Sequence, residues 1–118
     1  MPNKLLTTEG IYTKGIIIPK IRNGNEHSWF VFPIRVNKKI RDKVITKLNR
    51  LNIGSKAYFY PCIHLQPFYI DTFGYKEGDF PVAEDLSRTT LILPFYIGIK
   101  EKEIKTVANS LRNILRKV

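Results

Sequence analysis

The residues able to do chemistry gather in one stretch, Tyr58 to Tyr69, which reads YFYPCIHLQPFY. It holds five aromatic rings, two prolines, the only cysteine of the chain and one of its two histidines, with no charge while the histidine is neutral. Cys62 and His64 are separated by a single residue, so a metal site and a thiolate nucleophile are the first chemistries to weigh. A structural zinc uses four ligands, and one cysteine with the widely spaced His27 and His64 falls short of that set. Cys62 also lies too close in sequence to His64 for a catalytic pair, whose members come from distant parts of a chain. It reads as a small half-buried thiol. Pro61 and Pro67 deny the stretch a strand ladder and a helix interior, which leaves an ordered aromatic loop.

Elsewhere the chemistry is thin. The glycines, at 10, 15, 24, 54, 74, 78 and 98, form no G-x-G pair and no Walker loop, and there is no G-x-S-x-G elbow. Glu84 and Asp85 fall at an expected helix start, where the helix dipole accounts for acidic residues. By residue chemistry alone the chain is not a complete enzyme.

At 118 residues it has the length of one domain with one core. Hydrophobic residues at 43% and charged residues at 25% are ordinary for a globular protein. Apolar runs such as Gly15 to Pro19 are far short of the roughly 20 residues of a membrane span. Met1 to Gly10 lacks the apolar core of a signal peptide, so the expectation is a cytoplasmic protein without membrane contact. The formal charge of +10 favours encounters with polyanions. No zinc-finger, RRM or KH pattern accompanies it, so nucleic acid is not the expected partner and a solvated basic surface accounts for the charge.

The elements that must hold the loop follow from patterning. Ser28 to Val36 is rich in aromatic and β-branched residues and reads as a strand. Pro33, lacking an N–H, puts it at an edge, and Trp29 and Phe30 to Phe32 read as core. Asn37 stands where a helix N-cap belongs. From Lys38, the residues Ile40, Val44, Ile45, Leu48 and Leu51 recur at helical spacing, with Asn52 or Gly54 placed to take a left-handed cap. Burying five such side chains is worth about 8 to 15 kcal/mol gross, so this helix needs a sheet beneath it. Ser55 to Tyr60 reads as a second strand, Phe68 to Phe73 as a short helical piece, and Pro81 to Leu86 as a helix opened by its proline. Thr89 to Leu93 is a third strand, and Ile104 to Val118 carries the clearest helical stripe. The fold class is α/β, an α+β two-layer sandwich in which a small, mostly antiparallel sheet carries helices on one face. Leu5, Leu6, Ile11 and the Ile16 to Ile18 run have room for one short strand in an otherwise loose segment.

Five local patterns, in order and at consistent spacing, identify a resemblance. They are His27-Ser28-Trp29-Phe30-Val31; Leu51-Asn52-Ile53-Gly54; Tyr58-Phe59 with His64-Leu65-Gln66-Pro67-Phe68-Tyr69; Gly78-Asp79-Phe80-Pro81-Val82-Ala83-Glu84 with Ser87; and Leu91-Ile92-Leu93-Pro94-Phe95. Together they resemble the C-terminal domain of DegT/DnrJ/StrS-type sugar aminotransferases, from about Ile16 to the end. The resemblance implies the C-terminal small domain of a fold-type I pyridoxal-phosphate enzyme over residues 26–118. Residues 1–25 are then a loosely ordered arm or interdomain remnant. It implies amino transfer to a nucleotide-linked keto-sugar in polysaccharide or deoxyaminosugar biosynthesis, and a homodimer in the complete enzyme.

The Schiff-base lysine and the cofactor's other partners belong to the family's large N-terminal domain, and no lysine here sits in a matching motif. Pyridoxal phosphate is thus expected in the complete enzyme and not on this chain alone, which is expected to be inactive by itself. The resemblance points to His64 for contact with the nucleotide sugar, with Tyr60 and Gln66 beside it, against the alternative of a histidine that pins an irregular loop. Pro81 and Glu84 organise the loop and helix start. Where the family often has a threonine or serine cap before the last helix, this chain has Ile99-Lys100-Glu101, a departure that weakens the cap by about 1 kcal/mol. A truncated or split gene, a cropped chain, or a half that joins a separate large domain all fit this partial match. The competing functions are a free-standing basic module for nucleic acid or another polyanion, and a remnant without a function of its own.

Overall fold

The computed structural model describes residues 16–118. Its elements run β1 (Phe32–Arg35), α1 (Arg41–Arg50), β2 (Lys56–Ala57), a single 3-10 turn (Ile63–Leu65), α2 (Pro67–Phe73), α3 (Pro81–Thr89), β3 (Thr90–Leu93) and α4 (Glu101–Lys117). The sheet order is β1-β3-β2, antiparallel throughout. Alternation along β1 sends Phe32, Ile34 and Val36 into the core and Pro33 and Arg35 to the opposite face. Leu91 and Leu93 of β3 join the core side, where Val44 and Leu48 of α1 and Ala108, Leu111 and Ile114 of α4 close over them. The two long helices thus form the second layer of the expected two-layer fold. The short helices α2 and α3 border the other face of the sheet.

Pro33 costs the ladder nothing. Arg35 exchanges both backbone bonds with Ile17, each at 2.9 Å. Backbone groups alternate in direction along a strand, so Pro33 turns its nitrogen to the same outer side, away from β3. The short strand expected near Ile16 to Ile18 is reduced to this one bridge, and Leu5, Leu6 and Ile11 lie outside the described residues.

The structure corrects four expectations. The first strand starts at Phe32 and not at Ser28, because Trp29 takes a left-handed conformation (φ 54°) that breaks the pleat. The Trp29 ring is buried, stacked between His27 at 4.0 Å and Phe32 at 5.4 Å, but Phe30 is 82% exposed and is not core. The second strand shrinks from Ser55–Tyr60 to Lys56–Ala57, because Phe59 (φ 51°) turns the chain away from β3. The first helix begins at Arg41, after a turn in which Asn37 Oδ1 accepts the Lys39 N–H at 2.9 Å. Asn52 (φ 60°), not Gly54, takes the left-handed position after it.

The N-terminus of α4 is better satisfied than its sequence implies. Glu103 Oε2 accepts the Lys100 N–H at 2.9 Å and the Tyr96 hydroxyl at 2.6 Å, so one half of a capping box forms without a serine or threonine. The Tyr96 hydroxyl, then the Lys100 N–H, hold the Glu103 carboxyl below its ordinary pKa.

Candidate functional site

Local constraints fold the Tyr58 to Tyr69 stretch into the wall of a cavity. Pro67 opens α2 at its first position, where its missing N–H is tolerated. Before it, the 3-10 turn closes with the Leu65 N–H donating to Cys62 O at 2.8 Å. That turn drives His64 inward, where Phe80 and Tyr75 meet its ring edge-on at 4.9 and 6.1 Å.

Nε2 of His64 lies 3.2 Å from Glu84 Oε2, and both side chains are buried. Glu84 also accepts the Gly78 N–H on Oε1 at 2.8 Å and the Phe80 N–H on Oε2 at 2.9 Å. The Gly78 N–H, followed by Phe80 and His64, holds the Glu84 carboxyl below its ordinary pKa, against the opposing effect of burial. It is therefore ionised at neutral pH. Gly78 sits at φ 97°, a conformation that favours glycine and aims its N–H at the carboxylate. The dipole of α3 is thus not the main explanation of Glu84: the residue ties the His64 turn to the chain segment before α3.

The cavity, of about 840 Å³, lies on the sheet face that carries Pro33, Arg35 and Thr90. Ile17 to Pro19 form one side; Tyr58, Cys62 and His64 form another; Tyr69, Phe73 and Leu86 come from the short helices. This size suits a ligand larger than a single metabolite ring. The charge of Arg35 is matched within the fold, Nη2 donating to Asp85 at 2.8 Å and Nε to Thr89 Oγ1 at 3.0 Å.

Of the three residues singled out from sequence, His64 alone is on this wall. The ring of Tyr60 lies instead under the Arg41 guanidinium, at 4.7 Å, and Gln66 Nε2 donates to Pro61 O at 3.2 Å. Sequence reasoning missed Arg41, which looked like one more charge on a solvated helix face but is 3% exposed. It also missed Tyr58 and Tyr75 on the cavity side. No periodicity marks them.

The cavity residues do not fit pyridoxal phosphate by themselves. An imine lysine is needed, and no lysine lines the wall among the described residues. Arg35 is committed to Asp85 and Thr89, and Glu84 already takes three donors, so neither is free for a phosphate or a pyridine nitrogen.

Around the cavity the usual burial pattern is inverted. Helix α3 buries Glu84, Ser87 and Thr89 but leaves Val82 74% and Leu86 41% exposed. Phe80 before it, with Ile63, Phe68 and Phe73, is exposed as well, and Ile63, Phe73, Phe80 and Leu86 share the cavity lining. Exposed apolar surface of this extent is characteristic of interaction surfaces.

The sequence matches the model of the DegT/DnrJ/EryC1/StrS aminotransferase family over residues 8–112. The spore coat polysaccharide biosynthesis protein SpsC of Bacillus subtilis is 34% identical over 107 residues, 86% of this chain and 27% of SpsC. The dTDP-4-dehydro-2,3,6-trideoxy-D-glucose 4-aminotransferase of Saccharopolyspora spinosa is 29% identical over 96 residues, 80% of this chain and 23% of that enzyme. Among solved structures, DesV of S. venezuelae superposes with a TM-score of 0.84 over 99% of this chain and 30% of its own, at 24% identity, which speaks for a common fold. The chain spans less than a third of the length of each of these proteins. With five motifs, a family match over most of its length and a shared fold, the chain belongs to the DegT/DnrJ/EryC1/StrS aminotransferase family.

Proposed function

We propose that this chain is the C-terminal small domain of a pyridoxal-phosphate-dependent nucleotide-sugar aminotransferase and forms the substrate-side wall of its cleft. The observation that carries this reading is His64, held by Glu84 at the edge of an open apolar cavity in a chain spanning less than a third of its relatives. The larger remainder of such an enzyme supplies the lysine and phosphate cradle that the cavity residues lack, and the exposed surface of Ile63, Phe68, Phe73 and Val82 is where it rests. His64 contacts the nucleotide sugar. Tyr60 and Gln66, which shape the loop, act on the substrate only through it. The basic excess lies mainly along and beside α1 and α4, on the core side of the sheet, so it takes no part in the cavity.

The test is to incubate the isolated chain with pyridoxal phosphate and borohydride. The expected result is no stoichiometric adduct and no amino transfer; a trapped imine at one equivalent overturns the assignment of the lysine to another domain.

A further inference from the structure

An ionised carboxylate accepts hydrogen bonds and donates none. Glu84, ionised at neutral pH, therefore bonds to His64 only when the proton sits on Nε2, the atom 3.2 Å away. The other two contacts of the carboxylate, to Gly78 N and Phe80 N, fix its position from the backbone. Phe80 and Tyr75, edge-on to the imidazole, restrict its rotation. In the neutral ring Nδ1 is then a bare acceptor. It has no protein partner among the described residues, and His64 lines the cavity.

We propose that Glu84 is a positioning residue that locks His64 in the Nε2–H tautomer, so that His64 meets its ligand through Nδ1 and the group it meets is a sugar hydroxyl. A hydroxyl suits the site in either protonation state of the ring. A hydroxyl donates to Nδ1 of the neutral ring and accepts from it when the ring is protonated. A phosphodiester or carbonyl oxygen, which carries no proton to donate, satisfies the protonated ring alone. This assignment rests on the cavity being the substrate-side wall. The tautomer does not, because it is set inside the chain.

Long-range 1H–15N correlation on the 15N-labelled chain in mildly alkaline buffer reads the tautomer directly, with His27→Gln to assign the two rings. The expected spectrum shows His64 with a protonated Nε2 and a bare Nδ1. The Nδ1–H form, or rapid averaging of both, overturns the role of Glu84. In Glu84→Gln the carboxamide can donate as well as accept, so the signals move toward a tautomer mixture; a folded variant with an unchanged His64 spectrum overturns the proposal. If that variant unfolds, the wild-type tautomer still decides it. Titration with methyl α-D-glucopyranoside against dimethyl phosphate tests the ligand class. The glycoside is expected to shift Nδ1 and dimethyl phosphate is not; a response to dimethyl phosphate alone, or none to the glycoside, overturns the hydroxyl assignment and leaves the tautomer result intact.

Discussion

The guanidinium of Arg41 sits 4.7 Å from the centre of the Tyr60 ring while its Nη1 donates to Ser87 O at 2.7 Å and Thr90 O at 3.0 Å. One buried side chain thus joins the start of α1, the end of α3, the start of β3 and the aromatic loop. Ser87 O belongs to the last turn of α3, where carbonyls lack helical partners. Arg41→Met is expected to cost about 1–3 kcal/mol for each carbonyl left without a donor. Arg41→Lys, with charge but no planar fork, should restore less than half of the loss. Urea denaturation of the three proteins measures both.

Leu48 and Leu111 are buried to 0% and 1% exposure on the two long helices. Truncating either to alanine should lower stability by about 2–5 kcal/mol. Exposed Val82→Thr should change it by less than about 0.5 kcal/mol. Thermal unfolding followed by circular dichroism separates the two classes.

The carboxyls of Glu84 and Glu103 are both held below their ordinary pKa, Glu84 chiefly by the Gly78 N–H and Glu103 by the Tyr96 hydroxyl. Their ionised forms stabilise the fold at any pH above the ordinary value of about 4.3, and that contribution disappears as pH falls through the lower folded values. The Tyr96 hydroxyl is shifted the other way, raised by its bond to Glu103. Its contribution is complete below the ordinary value of about 10 and is lost as pH rises through the higher folded one. Melting curves across pH should therefore show an acid limb that Glu84→Gln flattens and an alkaline limb that Tyr96→Phe weakens.

The uncovered apolar surface should make the isolated chain bind a hydrophobic dye and self-associate as concentration rises. Phe68→Ser combined with Val82→Thr, at positions 66% and 74% exposed, should reduce both without lowering the melting temperature. Sedimentation velocity and dye fluorescence are the readouts.

The long helices were legible because their apolar residues repeat at helical spacing, and β3 because a short β-branched and apolar run ends at Pro94. Pro33 even placed β1 at its edge, and Pro81 opened α3 as expected. What was hidden depends on backbone turns that composition does not encode. Trp29 and Phe59 adopt left-handed conformations unusual for aromatic residues, and each shortens a strand. The candidate site was half legible. His64 was singled out through the family resemblance of its aromatic loop, but Glu84 follows it by twenty residues and looked like an ordinary helix-start acid. Arg41 was hidden for the same reason: a charge on an amphipathic helix announces solvent, and only the packed fold shows two carbonyls waiting for it.

As the proposed substrate-side wall of a sugar aminotransferase, this chain should work when joined to a large domain of the family. The direct measurement is turnover by a chimera in which it replaces the matching segment of the Saccharopolyspora spinosa 4-aminotransferase, assayed on the sugar nucleotide in that enzyme's name. The expected result is amino transfer by the chimera and a loss of about tenfold or more in kcat/KM on His64→Ala, the scale of one hydrogen bond to substrate. A folded chimera that holds its cofactor but transfers no amino group, or one whose turnover is indifferent to His64→Ala, would contradict it.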